Sequence, residues 1–272
     1  MNKPMKNDQT PLIDELELNL WEAWSNWGRG PGCKLHDTDD LLLFETPLPL
    51  IPYNGVLKTQ IAHNAESKIE EVTRHFAERR VPFIWLFHPT SQPANLYELL
   101  IAKGLKEVEP IYGMAMDLAD LQEVPDLPDH IEIRKVQGEQ DAIDVVQFAA
   151  WRWGIPRKYQ ETYESMVAQF QIGKPGTNVL AWQAWRDGQP ISKLVMHLGS
   201  NSAGIYGVST KPEARGLSLA RTLTITALHE AKAAGYKLSV LHSTPMAQSL
   251  YRNIGFFDVA EFTLFASEDV SI

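Results

Sequence analysis

Between Tyr206 and Ala220 the chain reads Tyr-Gly-Val-Ser-Thr-Lys-Pro-Glu-Ala-Arg-Gly-Leu-Ser-Leu-Ala, a pattern suited to holding an anion. Ile205 to Ser209 has the composition of a short strand. Pro212 stops it, because proline donates no ladder hydrogen bond and pushes its predecessor away from helix. Arg215-Gly216 then makes a tight turn. Beyond it Leu219, Leu223, Ala227 and Ala231 recur every fourth residue with Leu228 beside them, which predicts an amphipathic helix from Ser218 to about Ala234, closed by Gly235. The first turn of a helix leaves amide N–H groups unpaired, and the macrodipole adds partial positive charge there. A loop opening onto such a turn attracts phosphate. Arg215 and Arg221 bring full charges to the same place.

This stretch resembles motif A of the GNAT acyl-CoA N-acyltransferases: Arg or Gln, two residues, Gly, one residue, Gly or Ala, between a strand and a helix. Arg215, Gly216, Leu217, Ser218, Leu219 and Ala220 fill it, with Ser218 where the family has glycine. A serine forced to positive φ would cost about 1 kcal/mol. In the first helical turn its φ would be ordinary and its hydroxyl free for a phosphate, and that placement is the expectation. Downstream, Leu238 to Leu241 reads as an apolar strand and Pro245 to Ile254 as a helix, followed by Gly255-Phe256. The family places Asn-x-x-Ala-x-x-Leu-Tyr and Gly-Phe there. Thr244, Ala247, Leu250 and Tyr251 match the register, Thr244 replacing the asparagine.

The resemblance implies acyl-CoA chemistry. An amine must lose a proton to attack the thioester, the carbonyl oxygen needs a donor, and the leaving thiolate benefits from a proton. The strand before the loop would pair with pantetheine through Val208 and Thr210. The pyrophosphate would rest on amides from Arg215 to Ala220, with Thr244 and Arg221 nearby. Tyr251 matches the tyrosine that protonates the thiolate; the alternative is a tyrosine packed on the cofactor. Relatives often carry a glutamate on the strand before the loop, and Ala203 to Ser209 contains no carboxylate. His197 on the neighbouring strand is either a base or a structural histidine. Trp151, Trp153 and Tyr206 either line the acceptor pocket or belong to the core. The implied activity is transfer of an acetyl group from acetyl-CoA to a primary amine of a small molecule or peptide, with no metal. The alternative is a non-catalytic acyl-CoA-binding or regulatory module, in which Ser218 and Thr244 mark decay of the site.

The elements that must position these groups fit a chain of 272 residues, long enough for two domains. With 44% hydrophobic and 22% charged residues the composition is that of a globular protein. No apolar run approaches a membrane span. The polar start of the sequence carries no apolar signal core, so a cytoplasmic protein is expected. Cys33 is the single cysteine, which excludes an intrachain disulfide and a cysteine metal cluster. The net charge of −9 comes with no basic stripe, so neither nucleic acid nor membrane is an expected partner. Residues 1–125 hold 11 basic and 19 acidic residues against 14 and 15 in the remainder, leaving the second part less hostile to a polyanion. Monomer and homodimer both stay open.

Residues 131–136 alternate as a strand, and helices are expected over about 140–151 and 158–170. Val179–Arg186 and Ile191–Leu198 should form a hairpin about Asp187-Gly188, a strong turn signal. With the following strand, loop, helix, strand, helix and strand this is the GNAT order, over about residues 130–265. Earlier in the chain a helical pattern over Leu16–Trp27, a strand at Leu41–Glu45 and an extended run from Tyr53 to Ile61 lead to a helix at 65–80. A strand at 83–87, a helix at 96–103, Gly104-Leu105 and a strand at 111–117 follow, parallel to the order at 218–265. The expected fold is α/β (α+β): two GNAT-like domains, each a mixed, largely antiparallel sheet flanked by helices. Residues 1–125 form a degenerate copy and 126–272 the N-acetyltransferase, joined by the proline-bearing linker 120–129. His63-Asn64-Ala65 replaces the arginine–glycine loop in the first copy, so that copy is expected not to bind acyl-CoA.

Overall fold

The computed structural model describes residues 9–268; the polar start of the sequence, residues 1–8, lies outside them. The elements run α1 (Thr10–Ser25), β1 (Lys34–Asp37), β2 (Leu41–Glu45), β3 (Gly55–Thr59), α2 (Ala65–Arg79), β4 (Ile84–Phe87), α3 (Leu96–Ala102) and β5 (Lys106–Asp117). They continue β6 (Ile131–Lys135), α4 (Gly138–Arg152), α5 (Gln160–Val167), β7 (Val179–Arg186), β8 (Gln189–Leu198), β9 (Ala203–Thr210), α6 (Leu219–Ala233), β10 (Leu238–Ser243), α7 (Gln248–Ile254) and β11 (Phe257–Ala266). The β7–β8 hairpin turns on Asp187 and Gly188, both at positive φ, as a two-residue primed turn requires.

The expected repeat is present. β3, α2, β4, α3 and β5 follow the same order as β9, α6, β10, α7 and β11. In each copy the first two strands pair in parallel across the connecting helix, β3 with β4 and β9 with β10. The helix in each copy is entered through a residue in the left-handed region, Asn64 before α2 and Ser218 before α6.

The compact units cut across the division expected at residues 125/126. One takes residues 9–20, Tyr112–Lys135 and Asn178–Ala260; the other takes Trp21–Ile111, Val136–Thr177 and residues 261–268. The reason lies in the last strand of each copy. β5 pairs antiparallel with β10 of the later copy, from Tyr112–Ser243 to Asp117–Leu238. β11 pairs antiparallel with β4 of the earlier copy, from Thr263–Phe87 to Ala266–Ile84. Each repeat thus completes its core with a strand belonging to the other.

In the first unit the strands adjoin in the order β5, β10, β9, β8, β7, β6. Leu219, Leu223, Ala227 and Ala231 of α6 are buried with Ala203 and Ile205 of β9, Leu241 of β10 and Met114 and Met116 of β5. That is the apolar stripe expected from the four-residue spacing. In the second unit Ile69, Val72 and Phe76 of α2 pack with Val56, Trp85, Leu96, Leu100 and Phe265.

The second unit also buries a carboxylate. Glu45 at the end of β2 lies 2.5 Å from His36 Nε2, 3.1 Å from His75 Nε2 and 2.9 Å from Arg79 Nη1, so β1, β2 and α2 are tied through one side chain. A cleft of about 350 Å³ opens beside it, lined in part by Lys68, Glu71 and Arg74. Burial raises the Glu45 carboxyl, and Arg79 with the two histidines more than offsets this, leaving it below the ordinary range. A depressed folded value stabilises above the unfolded value, near 4.3, and the gain is lost as pH falls through the folded value. Replacing Glu45 by Gln should therefore cost about 1–2 kcal/mol near neutrality, the partners being partly exposed and screened. Thermal melts should show that gap closing as the pH drops below about 4. A gap independent of pH would show that the ion cluster does not set the stability.

Candidate functional site

β9 and β10 pair only over Ala203–Ile205 and Ser239–Leu241. Beyond that both strands continue without each other, β9 to Thr210 and β10 to Ser243. The far edge of β9 stays on β8, where Ser192 Oγ donates to the Ser209 carbonyl at 3.0 Å and Lys193 Nζ to the Gly207 carbonyl at 2.7 Å. Successive residues of a strand turn their backbone groups to opposite edges. With Gly207 and Ser209 directed at β8, Val208 and Thr210 present their N–H and C=O groups to the gap. Thr210 Oγ1 is 2.8 Å from Ser192 Oγ, the close side-chain approach of a non-hydrogen-bonded pair.

The loop leaves β9 through a single 3-10 turn, Pro212–Ala214. Arg215 is extended and exposed, Gly216 has φ +81°, and Leu217 leads into α6. The amides from Gly216 to Arg221, through Leu217, Ser218, Leu219 and Ala220, make no hydrogen bond among the described residues; the first α6 bond runs from Thr222 N to Ser218 O at 3.0 Å. A row of unpaired amides at the N-terminus of a long helix is an anion cradle.

Ser218 corrects one expectation. It is the N-cap of α6 at φ 58°, ψ 16°, in the left-handed region and outside the first helical turn, and its side chain makes no capping hydrogen bond. The tight turn that brings the amides together needs positive φ here as well as at Gly216, which is the reason for a glycine in the family pattern. Arg221 is turned away from the cradle among the described residues, its guanidinium bonding Gln122 Oε1 and lying 3.5 Å from the Asn253 carbonyl. Arg215 is thus the exposed cation beside Gly216.

Tyr251 lies on α7, buried, with its ring edge-on to Phe256 at 5.9 Å. It shares the core with Leu219 at the start of α6, and Val208 of β9 packs against that core. Burial pushes its phenol up to about 12, so it stays protonated at any working pH. Thr244 lies between β10 and α7, its carbonyl accepting from the Ala247 amide at 3.1 Å. His197 is buried on β8 opposite Gly204. Trp151 and Trp153 are exposed and belong to the unit without the loop.

The sequence did not mark Glu17 and Asn19 of α1, of which Asn19 reaches β9. Asn19 donates to the Ser202 carbonyl at 2.8 Å and accepts from the Tyr206 hydroxyl at 2.8 Å. It lies so close over Gly204 that an added Cβ would fall 1.9 Å from its Oδ1, so any larger residue at 204 would displace Asn19 from its hydrogen bonds. Glu17 is buried, 2% exposed. Asn19 and its partners are almost the length of the domain apart in sequence, and neither Glu17 nor Asn19 sits in a pattern that announces it.

The first copy has the counterpart shape with different chemistry. A cleft of about 500 Å³ lies at the start of α2, bounded by Ile61, His63, Asn64, Glu66, Ser67 and Asn95 among others, with no arginine or lysine in its lining. Its first helical turn carries Glu66. An acidic group at the helix N-terminus occupies the field a phosphate would need.

Residues 199–259 match the family model of the GNAT acetyltransferase domain. No curated protein matches the sequence. Among solved structures, a GCN5-related N-acetyltransferase from Kribbella flavida aligns with TM-score 0.68 at 16% identity, over 94% of this chain and 96% of that one. A tandem GNAT protein from the clavulanic acid biosynthesis pathway aligns with TM-score 0.62 at 14% identity, over 97% and 96%. A GCN5-related N-acetyltransferase from Sphaerobacter thermophilus aligns with TM-score 0.60 at 16% identity, over 84% and 80%. Identities this low speak for the fold. Among the described residues no helix is long and apolar enough to cross a membrane.

Replacing Ser218 by Gly should stabilise the protein by about 1 kcal/mol, since glycine takes the left-handed region without the Cβ penalty. A lower melting temperature for that variant would contradict the backbone assignment at the loop. Residues 199–259 thus match the GNAT acetyltransferase domain by sequence, and the chain carries the fold of the GNAT acetyltransferases, tandem members among them.

Proposed function

We propose that this protein transfers an acetyl group from acetyl-CoA to a primary amine of a small molecule or peptide, by direct attack on the thioester. The observation that carries the reading is the conjunction, in one unit, of a splayed strand pair, a row of unpaired helix amides beside Arg215, and a buried protonated tyrosine. The pyrophosphate of CoA fits the amides of Gly216 to Ala220, with Arg215 as counter-charge. The pantetheine amides fit the free edge of Val208 and Thr210. The thioester then falls in the gap between β9 and β10, where the backbone of β9 can donate to the carbonyl oxygen as it gains charge.

Tyr251 supports departure of the thiolate. A phenol near 12 is a weaker acid than an ordinary thiol, near 8.5, so its first contribution is a hydrogen bond to the sulfur as charge develops. The electrons of the breaking C–S bond stay on sulfur, and the nitrogen's surplus proton reaches it.

Isothermal calorimetry with acetyl-CoA, together with thiol release over a panel of amines, tests the reading. Submicromolar to micromolar binding with turnover of at least one amine is expected. Binding with no turnover on any amine would instead favour a regulatory module. Replacing Arg215 by Glu puts an anion beside the pyrophosphate and should weaken acetyl-CoA binding by about tenfold or more at low salt, less at high salt. An unchanged dissociation constant would remove the loop from the cofactor site.

Replacing Tyr251 by Phe keeps the ring packing and removes the donor. Acetyl-CoA affinity should hold within a few-fold while single-turnover rate falls by about 10²- to 10⁴-fold. The deficit should shrink with acyl donors whose thiol leaves more readily. Equal single-turnover rates would assign Tyr251 to packing alone.

A further inference from the structure

Acetyl transfer builds negative charge on the thioester oxygen, and a backbone amide of β9 is the donor on hand. What sets the aim and strength of that amide lies one strand away. The register between β8 and β9 steps from Val195–Tyr206 to Lys193–Ser209, so Gly207 and Val208 together lie opposite Leu194. Two residues against one make a bulge, and Gly207 enters it in the left-handed region at φ +54°. The bulge begins two residues after Ile205, where β9 parts from β10.

Lys193 fastens this bulge. Leu194 and Met196 belong to the core under α6, so Lys193 stands on the opposite face of β8, 3% exposed. Its Nζ donates to the Gly207 carbonyl at 2.7 Å, and a Cβ added at 207 would crowd Nζ at 3.0 Å. Its register neighbours, Gln183 on β7 and Ser209 on β9, are neutral. An ammonium costs more to desolvate than a methionine side chain of similar length, so packing alone gives no reason for a charge here.

The Gly207 carbonyl and the Val208 N–H belong to one peptide unit. That peptide is trans, the cis bonds of the described residues lying before Pro52 and Pro93. In a trans peptide the two groups point in opposite directions. With the carbonyl held by Lys193, the Val208 N–H turns away from β8 and into the gap. A cation on the carbonyl oxygen draws electrons toward that end of the peptide and leaves the amide hydrogen more positive, as hydrogen bonds in a chain strengthen one another.

We propose that Lys193 is the positioning residue of the oxyanion donor: through the Gly207–Val208 peptide it aims and polarises the N–H that meets the developing charge. The assignment rests on the acetyl-transfer reading above. As the amine nitrogen bonds to the thioester carbon, the carbonyl π pair moves onto oxygen, where the Val208 N–H donates to it. When the C–S bond breaks, that pair returns to restore the carbonyl and the thiolate leaves with the electrons of the broken bond. The nitrogen's surplus proton reaches sulfur. Lys193 loses no proton in these steps and acts only through the peptide.

The test reads the thioester itself. Acetyl-CoA isotopically labelled at the carbonyl carbon is bound to the full chain without an acceptor, and isotope-edited infrared spectroscopy gives its carbonyl stretch. On the unaltered protein the stretch should lie below that of free acetyl-CoA, the mark of a donor on the oxygen. In Lys193→Met, close in length and uncharged, it should return at least half of the way to the free value. Lys193→Gln, which keeps an uncharged donor, should fall between the two. The single-turnover rate of Lys193→Met should drop by about tenfold or more, short of the about 10²- to 10³-fold that follows outright loss of an oxyanion donor. Acetyl-CoA affinity, read by calorimetry, should stay within a few-fold. A bound stretch equal in Lys193→Met and the unaltered protein would make Lys193 a packing residue and overturn the assignment. A stretch on the unaltered protein no lower than in free acetyl-CoA would overturn it too. Should Lys193→Met fail to fold, Lys193→Gln decides by the same comparison. No binding of acetyl-CoA by the unaltered protein would remove the acetyl-transfer reading and this assignment together, whereas binding with an unmoved carbonyl removes the assignment alone.

Discussion

The site depends on two parallel strands that stop pairing. Hydrogen bonding between β9 and β10 ends at Ile205 and Leu241, and everything the site can do follows from the backbone groups this leaves unsatisfied. An unpaired strand edge is costly if buried and a liability if exposed. Here one side of β9 is secured to β8 by Ser192 and Lys193, so the free edge is fixed in position while remaining open to a ligand. The amides at the start of α6 are a second set of unsatisfied donors a few residues on.

Strands that separate need something to hold them apart. The core between α6 and the sheet fastens one face through Ile205 and Leu241. On the other face Asn19 lies over Gly204 and holds Tyr206, and a side chain at 204 would push it out of place. The exchange of β5 and β11 gives β10 an outer neighbour along its whole length, from Leu238 to Ser243. β10 can therefore leave β9 after Leu241 without losing its own ladder. The repeat in the sequence and the splay at the site are linked in this way: a strand borrowed from the other copy lets β10 diverge.

Much of the loop, helix and hairpin was legible because those features are local. The four-residue stripe of α6, the Asp187-Gly188 turn and the glycines that close helices are written in neighbouring residue types. The backbone at Ser218 was not legible, since serine is common at ordinary φ and its left-handed placement here is imposed by the geometry of the turn. β1 was missed because Lys34–Asp37 is a largely exposed strand with little apolar signal. The residues from Thr10 to Glu15 extend α1 further than its apolar pattern, which marks only the buried stripe. The division into compact units was hidden for a different reason: strand exchange leaves the order of elements unchanged, and order is what a sequence reveals.

The two copies share a backbone shape at the entrance to their helices. Both helices are entered through a left-handed residue, and both follow a strand that pairs in parallel with the next. Shape alone therefore does not separate them. What differs is charge. The loop before α6 carries Arg215 and no acidic residue in the first helical turn, whereas α2 begins with Glu66 beside a cleft without a basic side chain. A helix N-terminus offers only about half a unit of positive charge, so one carboxylate in the first turn is enough to cancel it. Because β11 pairs with β4 and β5 with β10, the strands of each copy complete the core that the other copy's helix packs on, whatever charge stands at its helix entrance.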